Sequence, residues 1–219
     1  MKEAHLREIE NVRFTFPLLT FFHPVLEKLS DGNVIRTSIA FALRVVAALT
    51  VLGGIVLLFL MLKEVFRFET AGETIGGLLF AVVLAATFLA IYQILMYRAT
   101  NVQALGESPF TVIPIFSILF RILGETYAVL GFAIGVGGCL FIWFAQFNPM
   151  FLLGALGSFF PSVSPEGTFV GGLLFALYMS VASFVVLLLF YFIAEASLVL
   201  ADIARSLRLL VRQSGMTSN

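Results

Sequence analysis

A chain of 219 residues that is 60% apolar and 12% charged lies outside the range of water-soluble domains, which run near half apolar and a quarter charged. Thirteen basic residues balance thirteen acidic ones, so no net field recommends a nucleic-acid partner. The composition implies an integral membrane protein, and the lone Cys139 permits neither an internal disulfide nor a cysteine-rich metal site.

Residues 1–36 read as a cytoplasmic, interfacial amphipathic segment. Leu6, Ile9 and Val12 share one side of a charged helix, and no short apolar core precedes a small-residue cleavage site, so a removable signal peptide is not expected. Phe14 to Leu29 is apolar but interrupted by Pro17 and Pro24, which suits amphipathic helices lying in the interface better than a span.

Four spans follow, over residues 37–62, 75–97, 121–147 and 168–193, within a transmembrane domain of residues 37–200. Each exceeds the roughly 20 residues that cross a 30 Å hydrocarbon core. The predicted fold class is an all-α membrane protein of four transmembrane helices, with residues 201–219 as a cytoplasmic helical tail. Phe110 to Phe120 reads as a Pro-bearing apolar stretch before the third span. Residues 148–167 read as an outer loop whose apolar middle dips into the interface. Eleven lysines and arginines fall on the side of the termini against Lys63 and Arg67 on the other, which predicts both termini in the cytoplasm, in a multi-pass protein of the cytoplasmic (inner) membrane.

The third span carries Gly124, Ala128, Gly131, Gly135 and Gly138 at spacings of four, three, four and three. Lipid gives helices no hydrophobic reason to associate, so such a small-residue stripe predicts a close helix contact, either within the chain or between subunits. Ala40, Ala47 and Gly54, and Gly77, Ala81 and Ala85, form further small faces. Gly76-Gly77-Leu78-Leu79-Phe80-Ala81 recurs as Gly171-Gly172-Leu173-Leu174-Phe175-Ala176, which raises the possibility of two parallel two-helix repeats.

Arg44, Arg98, Arg121, Glu125, Glu195 and Asp202 are ionisable residues in or near the spans to be weighed, since such groups inside a membrane are functional candidates by default. All six fall near the cytoplasmic edge. They predict a charge layer of ion pairs and snorkelling side chains, with Arg121 and Glu125 four apart on one helix face. A cation or proton path with Glu125 and Glu195 as its acids is the alternative, and a bound lipid head group at the arginines is a third. His5 and His23 are the only histidines and neither lies in a span, so no cofactor and no metal is expected there. No catalytic motif is visible, and an enzyme is not expected.

The sequence therefore implies a non-catalytic subunit or scaffold of a larger membrane assembly. Its expected partners are membrane lipids and further copies of itself or other membrane subunits, with no nucleic acid. A small ion or proton channel or transporter is the competing expectation.

Overall fold

The structure, a computed structural model, describes residues 33–105, 112–146, 149, 152–153, 159 and 167–216. The described chain is almost wholly helical, with no strand. Helix α1 runs Asn33–Val65, α2 Ala71–Gln103, α3 Val112–Ala145 and α4 Phe169–Met216. Each contains a stretch long and apolar enough to cross a membrane. The expected interfacial helices before Asn33 lie outside the described residues, as do most of the loop over residues 148–166 and the last three positions.

The helices are longer than the expected spans. α1 takes in residues 33–36, and α3 starts at Val112 rather than 121. Pro114 is the third residue of α3, where its missing N–H is one of four that have no partner inside the helix. The apolar stretch before the third span is thus the first turns of α3. α4 is one uninterrupted helix of 48 residues, joining the fourth span to the tail. The α1–α2 turn ends on Thr70, whose Oγ1 accepts from the Glu73 N–H at 3.3 Å, and Glu73 places a negative charge at the positive end of α2.

Packing follows chain order. α1 packs on α2, α2 on α3 and α3 on α4, and among the described residues helices that are not neighbours in sequence make at most a marginal contact. The four described helices therefore form an open row and not a closed bundle. In α1, Ala40, Ala47, Gly54 and Met61 recur every seven residues and are buried against α2, the heptad rhythm of left-handed helix packing. A Cβ on Gly54 would lie 2.6 Å from the ring of Phe88, whereas the adjacent Gly53 faces open space.

The recurring six-residue motif gains a packing explanation. Gly77 lets the Val65 side chain of α1 approach, and Gly172 does the same for the Trp143 indole of α3. Phe80 of α2 and Phe175 of α4, both buried, close on the consecutive glycines Gly137 and Gly138 of α3. Both phenylalanines converge on one helix, an arrangement that two parallel repeats do not require.

At its described positions the α3–α4 connector packs on protein. The side chain of Pro149 lies against the position of Gly138, and Leu152 and Leu153 belong to the hydrophobic core with Ile134, Phe141 and Phe175. The Phe159 carbonyl accepts from the Tyr127 hydroxyl at 3.4 Å. Tyr127 lies 16 residues before Trp143, about 24 Å along α3. Among the described connector residues, Phe159 thus meets α3 well away from its end, and Gly167 lies beside the Gln146 carbonyl. Leu152 and Leu153 go to the protein core, whereas the Phe159 side chain is exposed; non-helical backbone at membrane depth is tolerated only against protein or a water-lined cavity. Gln146, which ends α3, has the left-handed backbone (φ 60°) usual for a glycine at a helix C-terminus.

Candidate functional site

Three of the four helices meet at Glu125. Arg98 of α2 donates from Nε to Glu125 Oε2 of α3 at 3.0 Å and from Nη2 to Oε1. Tyr191 of α4 donates its hydroxyl to the same Oε1 and accepts from Arg98 Nη2 at 3.3 Å. The two charged side chains are only 14% and 17% exposed, so the fork-to-fork pair is largely shielded, the setting in which bidentate arginine–carboxylate bonds are strong and directional. Sequence spacing matched Glu125 with Arg121 on its own helix. Burial instead turns the carboxylate towards Arg98, because that pairing also ties α2 to α3 and, through Tyr191, to α4.

Arg121 stacks its guanidinium on the face of the Tyr191 ring, 5.5 Å from its centre, a cation–π contact. Its Nε is buried without a hydrogen-bond partner, as is the Thr126 hydroxyl. Among the described residues no carboxylate pairs with Arg121.

The other expected members of the layer are dispersed. Arg44 donates to Gln103 Oε1 at 2.8 Å, reaching back along α1 towards the end where that helix begins, as a snorkelling side chain does. Glu195 and Asp202 are exposed on α4 and make no ion pair among the described residues. They lie roughly 39 Å and 50 Å along α4 from Phe169, beyond the edge of a 30 Å core, where lone carboxylates can stay hydrated. Sequence reasoning missed Tyr191 and Arg36. Arg36 is 7% exposed and donates to the Leu105 carbonyl just past α2, where a cation meets the negative end of a helix. Tyr191 carries no charge that would mark it in the sequence, and its role needs the α3–α4 register.

The small-residue stripe faces α4 for most of its length. A Cβ on Gly124 would meet Phe190 at 2.8 Å, one on Gly135 would meet Met179 at 2.9 Å, and one on Gly138 would meet Phe175. Gly131 is buried as well. Ala128 instead turns to the opposite flank. There Val82, Val83, Ala86, Thr87 and Ala90 of α2, with Ala128, Val129, Phe132, Ala133 and Val136 of α3, line an open apolar groove of about 560 Å³. Of the other small faces, Ala40, Ala47, Gly54, Gly77 and Ala81 are all buried within the chain.

Among the described residues no three metal-ligating side chains come together. Comparison with protein-family models, with curated proteins and with solved structures returned no match in any of the three.

Proposed function

We propose that the chain is a non-catalytic membrane subunit or scaffold that assembles with further copies of itself or with other membrane proteins. The observation that carries this reading is the open row. Among the described residues α1 and α4 each have one helical neighbour, and their remaining faces are apolar and exposed, from Phe41 and Leu49 on α1 to Leu177 and Phe184 on α4. A row with two free edges can extend by adding helices at either end. The small-residue stripes do not add to this support, since the chain uses most of them internally. The inferred setting is the cytoplasmic membrane with both termini inside, on the strength of the eleven-to-two charge split.

The competing reading, a small channel or transporter, draws support from the Phe159 carbonyl at Tyr127, since non-helical backbone at membrane depth lies against protein or lines a water-filled cavity. The paired state of Glu125 argues against that acid as an ion site, because both its oxygens are already engaged.

Extraction into native nanodiscs, followed by mass measurement and ion flux in liposomes, separates the two. The subunit reading expects a defined oligomer or a stoichiometric partner and no flux. A monomer that conducts ions overturns it.

A further inference from the structure

Below the Arg98–Glu125 pair, the groove between α2 and α3 begins. Arg121, Glu125, Ala128, Phe132 and Val136 follow one another at four, three, four and four along α3, which places the charged mouth and the apolar groove on one stripe. The α2 wall of the groove is Val83, Ala86 and Ala90, two of them small enough to leave the surface concave. Depth fits as well. Trp143, stacked on Phe169 at 4.5 Å between ring centres, marks the far interface as belt aromatics do. Arg121 lies 22 residues from it, about 33 Å along the helix, just past a hydrocarbon core of about 30 Å and level with lipid head groups. Among the described residues two guanidiniums stand with one carboxylate there, which leaves one positive charge of the mouth uncompensated. Glu195, a turn beyond Tyr191 on α4, is exposed and unpaired and does not neutralise it.

We propose that this groove and its mouth form a binding site for one anionic glycerophospholipid. The phosphodiester takes the free donors of Arg121, and an acyl chain lies along Ala128, Phe132 and Val136. The phosphate complements the surplus charge, and the groove offers a lipid tail a concave apolar wall in place of a smooth helix surface. The site does not rest on the subunit reading, because the free edges that carry that reading lie on α1 and α4 and the groove lies between α2 and α3.

Native mass spectrometry of the purified full chain, titrated with phosphatidylglycerol, phosphatidylcholine or inorganic phosphate, tests the proposal. One phosphatidylglycerol should bind in preference to phosphatidylcholine. Arg121→Gln should cut that preference about fivefold, the factor that goes with one basic residue at an anionic surface. Arg67→Gln, on the opposite side, should leave it unchanged. Ala90→Phe, which fills the groove, should weaken both lipids alike while sparing the charge preference. Should Arg121→Gln fail to fold, Arg121→Lys, which keeps the charge, must retain the preference, and Ala90→Phe must still weaken both lipids. Equal binding of both lipids, displacement by inorganic phosphate alone, or a groove that becomes protected by dimerisation when lipid is removed would each overturn the site.

Discussion

At Glu125 one carboxylate accepts from a guanidinium and a phenol on two other helices, so its removal strands a shielded Arg98. Breaking a buried pair from one side costs about 3–5 kcal/mol, and at the membrane edge the cost is smaller. Glu125→Gln should therefore lower the melting temperature in detergent, and adding Arg98→Gln should restore part of the loss. A double variant that melts lower than the sum of the singles would show that the pair is not the unit of stability. Tyr191→Phe removes one hydroxyl donor but keeps the ring under Arg121, so it should cost about 1 kcal/mol. Glu195→Gln, at an exposed carboxylate without a partner, should stay within about 0.5 kcal/mol of the parent. A large loss there would place a partner for Glu195 that the described residues do not contain.

Between elements, glycines fix how near the helices come, and two adjacent ones in α1 isolate the effect. Gly54 lies under the Phe88 ring and Gly53 faces open space. Gly53→Ala should stabilise by about 0.5–1 kcal/mol, the helix-propensity difference. Gly54→Ala should destabilise, by about 1–3 kcal/mol where neighbours cannot yield. Equal effects at the two positions in thermal unfolding would remove the α1–α2 register described above. On α3, Gly135→Leu meets the Met179 Cβ and the Ala176 carbonyl of α4 and should reduce the yield of folded protein. Phe132→Leu, at an exposed position on the groove flank, should be mild.

For the whole molecule, the open row predicts which helices can be joined. On a background lacking Cys139, the pair Gly124→Cys and Phe190→Cys should form a disulfide between α3 and α4, since a Cβ at the first position approaches the Cβ of the second. Val45→Cys on α1 and Leu188→Cys on α4, both exposed, should not cross-link within one chain. Efficient intrachain linkage of that second pair would mean a closed bundle. Side is read separately. Glu69→Cys, in the exposed turn after α1, should be labelled in intact cells, and Ser218→Cys only once the cells are opened. Reversed labelling would invert the charge argument for orientation.

Composition and hydropathy were enough to place the four long apolar helices of the described residues, because crossing a bilayer demands a long apolar run whatever the neighbours are. Spacing also marked the small faces, since close backbone approach requires glycine or alanine at helical intervals. Which helix each face would meet was decided only in three dimensions. Two equivalent phenylalanines converge on Gly137 and Gly138, and the stripe on α3 turns to α4 at Gly124, Gly135 and Gly138 yet to the groove at Ala128. The ion pair shows the same division. Sequence distance favours Arg121 for Glu125, since four residues bring them to one face, but a shielded carboxylate is held best by the fork of Arg98 and the Tyr191 hydroxyl, both far away in the chain. For Leu152 and Leu153 the sequence showed only an apolar stretch, because the same residues would serve against lipid or against a core, and only their packing chose the core.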